Sequence, residues 1–286
     1  MYGFGRAAEE GGKLQFFCVV FSNRPAKGCY VMPPVVKPEA VLKRSEELIN
    51  VGQASAALQA LHEFTFSRRF KQGPVASLEP LMERFMELCV DQRRGRAAKE
   101  ALLQYKNAFQ NTDPQSIRDV IHHFVKHADA KVAEARSRAD AAAEELDVDD
   151  LEESETPESI LLGSVSQDQE RDRTDRTLVT PWLKFLWEAY RTALDILKNN
   201  TRLETAYQQI ADQALHFCLQ HQRKTEFRRL CEVLRQHLQS VARSTHHTNA
   251  IDFSDADTLQ RHLDTRFTQL NSAVELELWS VSYTHL

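Results

Sequence analysis

Turn-forming residues are scarce in this chain. It has nine glycines and nine prolines in 286 residues, too few for the many tight turns of a stranded sandwich or barrel. No apolar run is long enough to cross a bilayer. The phosphate-binding glycine loops GxGxxG and GxxxxGK do not occur, HExxH does not occur, and no serine has a nucleophile-elbow context. These absences leave almost no positive case for an enzyme, and no cofactor is implied. The cysteines are Cys18, Cys29, Cys89, Cys218 and Cys231. They are odd in number, scattered and outside metal-ligand spacing, which reads as free thiols in a reducing compartment. Lysine and arginine are missing from 140 to 170, where aspartate and glutamate abound.

Ala, Leu, Glu, Gln and Arg are plentiful, and that mixture favours helix. Formal net charge is −5, so the chain as a whole does not advertise nucleic-acid binding, although the sign varies along it. The strongest helical pattern is LVTPWLKFLWEAYRTALDILKNN (178–200). Thr180 is placed to cap it, and Pro181 suits a first helical position. Lys184, Glu188, Arg191, Asp195 and Lys198 form one polar stripe. The remainder, including Trp182, Phe185, Leu186, Trp187, Tyr190 and Leu194, is apolar over so wide an arc that the spacing predicts the inner member of a helix stack.

Before it, two helical patterns flank Gly52, and two more flank Gly95. Aligning those glycines as turns gives a repeat of about forty residues, in the range of helix-pair solenoids. Inward faces are Val41, Leu42, Ser45, Leu48 and Ile49, then Ala54, Ala57, Leu58 and Leu61, then Leu81, Met82, Phe85, Leu88 and Cys89. Asp113 before Pro114 opens a further helix through Ile117, Val120, Ile121, Phe124 and Val125. Its later half lacks large apolar residues and is expected to project as an exposed end. After Asn200, Thr201 and Glu204 have the spacing of a capping box. Leu203, Tyr207, Ile210, Ala214, Phe217 and Cys218 then form an inward face. In the last helix Leu259, Leu263, Phe267, Leu270 and Val274 share one stripe.

The expected organisation is an all-α, right-handed TPR/PCI-type solenoid of antiparallel helix pairs, without a winged helix. Residues 1–31 read as a non-native or disordered extension, and 32–139 as the N-terminal helical repeats. Residues 140–176 read as an acidic connector with a short helix after Thr156-Pro157, 177–279 as the resumed array, and 280–286 as a foreign-looking tail. Candidate chemistry is thin. His123 and His127 are four apart but bring no third ligand or base; His216 with Cys218, Cys231 with His237, and His246-His247 complete no set. Basic clusters are the better signal: RRFK (68–71), Arg93, Arg94 and Arg96 with Lys99, RDRTDR (171–176), and RKTEFRR (223–229) with Arg228 and Arg229. All lie at or near turns between helices, and turns aligned along one edge could contact phosphates.

Several strings together resemble one family. KPEAVLKRSEELINVGQASAALQALHEF, LCVDQRRGRAAKEALLQYKN, LDVDDLEE with TPESILLGSVS, DRTDRTLVTPWLKFLWEAYRTALDILKNN, FRRLCEVLRQHL and LDTRFTQL look like the N-terminal region of the largest (a) subunit of eukaryotic translation initiation factor three. The resemblance runs from about Pro34 to Trp279, and RRGR and LDVDDLEE look most like plant or green-algal forms. It implies a non-enzymatic, cytoplasmic scaffold for preinitiation-complex assembly and mRNA recruitment. The implied partners are the c subunit, the b and i subunits through a later region, the small ribosomal subunit, and mRNA or rRNA; no membrane is implied. On that reading Arg93, Arg94, Arg96, Lys99, Arg228 and Arg229 are candidate RNA or ribosome contacts. A general PCI-type adaptor, like those of the proteasome lid or signalosome, is the alternative.

Overall fold

A computed structural model describes residues 37–149, 175–243 and 251–278. The expectations for 1–31, 280–286, His246-His247 and the short helix after Pro157 lie outside the described residues. Within them the chain is helical, with no strand. The helices are α1 (Pro38–Asn50), α2 (Ala54–Thr65), α3 (Val75–Asp91), α4 (Gly95–Phe109), α5 (Pro114–Asp149), α6 (Thr180–Leu197), α7 (Glu204–Gln220), α8 (Lys224–Arg243) and α9 (Ala256–Glu275). Each pair lies on the next: α1 and α2 on α3, α3 and α4 on α5, α4 and α5 on α6, α6 on α7, and α7 on α8 and α9. That is the helical-repeat array the forty-residue period predicts.

The inward faces pack as their spacing requires. Leu81, Met82, Phe85 and Cys89 are fully buried, as are Leu78, Ala101 and Tyr105. α6 is the inner helix. Leu183, Phe185, Leu186, Trp187, Tyr190, Ala193, Leu194, Ile196 and Leu197 are all buried, whereas Lys184, Glu188 and Arg191 are exposed. Asp113 caps α5, its carboxylate accepting from the N–H groups of Gln115 and Ser116 at 3.1 and 3.3 Å.

Four turns share one geometry, and it corrects the place given to Gly95. α1 ends in a left-handed residue, Gly52, at φ +84°. The Gly52 N–H donates to Ile49 O and the Gln53 N–H to Leu48 O, each at 2.8 Å. The same pair of bonds recurs after α3 around Arg93, after α7 around Gln222 and after α9 around Glu277, at φ +53°, +52° and +59°. Gly95 itself is the first residue of α4. Arginine and glutamine tolerate the left-handed site because the turn satisfies two terminal carbonyls in return for a strain of about 1 kcal/mol. Substituting Gly52 by Ala puts a Cβ where nothing lies within 4 Å, so its cost is conformational and is expected at about 1 kcal/mol. Gln222→Gly should gain about 0.5–1 kcal/mol by the same reasoning. Urea midpoints check both; a neutral Gly52→Ala would remove the strain argument.

Three further expectations are overturned. Thr180 does not cap α6; a π-turn over Asp175–Val179 precedes the helix, and the Thr180 hydroxyl donates back to Asp175 O at 3.2 Å. Thr201 and Glu204 do not form a capping box. Asn200 takes the cap, its Oδ1 accepting from Arg202 N–H at 3.0 Å, and this closes the short 3₁₀ turn Thr201–Leu203. Glu204 is released for a tertiary role. The later half of α5 does not project, at least to Ala139. Ala128, Val132, Ala135 and Ala139 are buried, and the π-turn and α6 pack along α5. Small residues read as surface because they carry little hydrophobic area, yet they allow the closest approach. α5 also runs through Asp149, into the stretch expected as connector.

The last helix inverts the usual pattern. α9 buries Thr258, Thr265, Gln269 and Ser272, while Leu259, Leu263, Phe267 and Val274 are 46, 43, 57 and 42 % exposed. It docks through polar anchors. The chief one is Glu204, 3 % exposed on α7, which accepts from Thr258 Oγ1 and Arg261 Nη1, both at 3.1 Å.

Candidate functional site

The hairpin geometry places the basic clusters on two edges. A Cβ at Gly95 would lie 3.7 Å from the ring of Phe185, so the α3–α4 turn lies beside the start of α6. Along the same edge, α5 sends His127 and Lys131 to Asp91 at 3.3 and 3.2 Å. At the same level, Val125 and Asp129 of α5 line one cleft with Phe217 and Gln220 near the end of α7, just before the α7–α8 turn. RRGR and RKTEFRR therefore share an edge. RRFK does not: it precedes α3, a 17-residue helix about 25 Å long, and so sits at the opposite edge. Arg94, Arg96, Arg228 and Arg229 are exposed and form no ion pair among the described residues. Only Asp175 and Arg176 of RDRTDR lie within them.

Three of the candidate cations converge on a groove of about 550 Å³ between α4 and α6. Arg93, Arg96 and Lys99 line the α4 side; Lys184 joins them from α6. Phe124 and Phe185 form the floor, with their rings edge to face at 6.4 Å. The Arg93 guanidinium lies over the indole of Trp182, 5.3 Å from its centroid, within cation–π range. Trp182 is only half-buried, so its reading as a core residue holds for its neighbour Trp187, 6 % exposed, and not for itself. α4 begins without a side-chain cap and without an acidic residue in its first turn. Lys99 also pairs with Asp195 at 3.3 Å.

Asp195 is a hub. It accepts from the buried His237 at 3.2 Å, from Lys198 at 3.1 Å and from Lys99. The His237 hydrogen bond, with the two lysines, holds its carboxyl well below the ordinary carboxylate range. Lys106 closes the same end of α6, donating to Ile196 O at 2.6 Å. This network fixes α4 and α8 to α6 and so sets the width of the groove.

The other titratable groups are structural. His123 pairs with Glu87 at 3.1 Å and stacks on His127, making a ladder between α3 and α5. Burial pushes the Cys89, Cys218 and Cys231 thiols up to about 12, which suits packing and not nucleophilic attack. Among the described residues no three His, Cys, Asp or Glu side chains converge as a metal site, and no helix is long and apolar enough to cross a membrane. Lys184, Asp195 and Glu204 were not singled out as site residues by sequence. The polar stripe on α6 held the signal for the first two; Glu204 was hidden by its capping-box spacing.

The described residues thus form a helical-repeat array with a cation-rimmed groove, in which Cys89, Cys218 and Cys231 are buried. Residues 39–285 match the family described as eIF3a, PCI domain, TPR-like region, and the chain belongs to that family. It is 75% identical over 252 residues to the A subunit of eukaryotic translation initiation factor 3 from Mycosarcoma maydis, covering 88% of this chain and 25% of that protein. The A subunit of the same factor from Aspergillus niger is 59% identical over 258 residues, covering 88% and 24%, and that from Aspergillus oryzae 58% over 258 residues, covering 88% and 25%. The chain spans about a quarter of the length of these relatives. All three are fungal; the likeness of RRGR and LDVDDLEE to plant or green-algal forms finds no support among them. The proteasome-lid or signalosome alternative gives way to the family match.

Proposed function

We propose that this chain is a scaffold segment of cytoplasmic translation initiation factor three, without catalytic activity of its own, that supports preinitiation-complex assembly and mRNA recruitment. Its partners on this reading are the other subunits of the factor, the c subunit above all with b and i through a later region, and the small ribosomal subunit with its RNA. Arg93, Arg94, Arg96, Lys99, Arg228 and Arg229 contribute the ribosome-facing charge. The observation that carries the reading is the arginines at the α3–α4 and α7–α8 turns on one edge, exposed and without an ion pair among the described residues. Such a row attracts phosphates with an affinity that falls as salt rises.

Reversing Arg94, Arg228 and Arg229 to Glu in the assembled factor is expected to weaken binding to the small ribosomal particle about tenfold at low salt. The salt slope should shallow by about one for each phosphate no longer neutralised. Cosedimentation over a salt series reads both. Unchanged affinity and slope would remove these arginines from the interface.

A further inference from the structure

We propose that the groove between α4 and α6 binds an acidic protein segment through an apolar anchor side chain. The proposal rests on reading Arg93, Arg96 and Lys99 as partner contacts, and goes further in naming protein, and not RNA, as what they hold.

Charge complementarity defines the occupant. Four cations line the groove, with Glu188 as the one carboxylate among the lining residues. Glu188 is already engaged by Arg191 at 3.1 Å. Arg93, Arg96 and Lys184 have no carboxylate partner among the described residues. The uncapped start of α4 adds N–H groups that lack an intrahelical acceptor, and these favour an anion beside the cations. The rim therefore asks for several negative charges in a row.

The floor separates peptide from nucleic acid. RNA recognition of this kind needs open aromatic faces on which bases stack. Here Phe124 is 1 % and Phe185 9 % exposed, held edge to face, and the Arg93 guanidinium lies over the Trp182 ring. The two phenylalanines therefore offer no open face to a base. What remains is a concave apolar patch formed by Phe185, Pro181 and Ala189, which accepts a Leu- or Phe-sized side chain. Acidic residues on either side of that anchor reach the rim, as in recognition of acidic motifs by arginine clusters.

The test is fluorescence anisotropy on the 286-residue chain. The probe is a fluorescein-labelled peptide, Glu-Glu-Glu-Leu-Glu-Glu-Phe-Glu-Glu, at low salt. Controls are the same peptide with Ser for Leu and Phe, and a labelled oligouridylate of similar length. Arg96→Glu and Lys184→Glu alter exposed residues without ion-pair partners among the described residues, and circular dichroism confirms that each variant is folded. Each reversal is expected to weaken the anchored peptide about tenfold, and the Ser peptide should bind about tenfold more weakly to the unaltered chain. Arg228 and Arg229 reversed together should leave peptide affinity within about twofold. The proposal is overturned if the peptide does not bind, if the Ser peptide binds equally well, or if both groove reversals are silent. It is also overturned if oligouridylate binds more tightly and is the probe lost with Arg96 and Lys184, since that outcome makes the groove an RNA site. Failure of the ribosome reading is seen separately, in the salt series on Arg94, Arg228 and Arg229.

Discussion

Glu204→Ala should release α9 from the array while the rest of the fold survives. The carboxylate is 3 % exposed and holds Thr258 and Arg261 by hydrogen bonds at 3.1 Å. His262 lies 3.7 Å from its other oxygen, too far for a hydrogen bond. Removing the group leaves the buried Thr258 hydroxyl with only Asp255, at 3.2 Å, and a positively charged arginine facing a void. Loss of a buried, hydrogen-bonded charge costs about 3 kcal/mol. Arg261, 35 % exposed, recovers part of that through water. The remainder, about 2 kcal/mol, is large for a helix that packs chiefly on one neighbour. α9 has little to replace it with, since its apolar stripe faces outward. Amide hydrogen exchange should show residues 256–275 losing protection about thirtyfold, with α3 and α6 unchanged. Glu204→Gln, which keeps the shape and one acceptor, should lose less. Equal protection of α9 in the Ala variant would show that the anchor is dispensable.

Leu186→Ala is expected to act on the whole array. Leu186 is fully buried in α6, the helix on which α4, α5 and α7 all pack. A cavity there costs about 3–4 kcal/mol. It also weakens the coupling between the repeats on either side, since an array of repeats holds together through nearest-neighbour contacts. Urea unfolding should therefore shift to a lower midpoint and broaden, or split into two transitions. Arg191→Ala on the exposed stripe of the same helix should stay within about 0.5 kcal/mol. A Leu186→Ala midpoint no lower than that of Arg191→Ala would contradict the inner-helix assignment.

The same two helices mark how far the sequence carries. α6 was legible because its period and its wide arc are local properties, written in consecutive residues. So were the inward faces of α1 to α3 and the Asp113 cap. What was not legible depends on partners remote in the chain. Glu204 has the spacing of a capping box, and only the position of α9 reveals that it reaches Thr258 and Arg261 instead. The stripe on α9 has the same period as the stripes of α3 and α7. Periodicity reports that a face exists, and burial depends on whether a neighbour covers it. Arg93 failed for a different reason. Glycine is favoured in a left-handed turn by about 1 kcal/mol, small enough for arginine to stand there with its side chain free to lie over Trp182. Part of the candidate site was visible as RRGR and Lys99, but its other wall, with Lys184 and the phenylalanine floor, comes from residues remote in the chain from that string.

α5 is 36 residues long, about 54 Å if straight. The other described helices have 20 residues or fewer. Solenoids of equal, short helices bend a little at every joint, like a coil spring. A rod this long, gripped by α3 and α4 on one side and by α6 on the other, cannot bend at each of those joints separately. It works as a splint. The middle of the array, α3 to α6, is thereby built to move as one stiff body, with elastic give left to α1 and α2 at one end and α7 to α9 at the other. A groove formed beside that splint keeps its width when the ends are pulled.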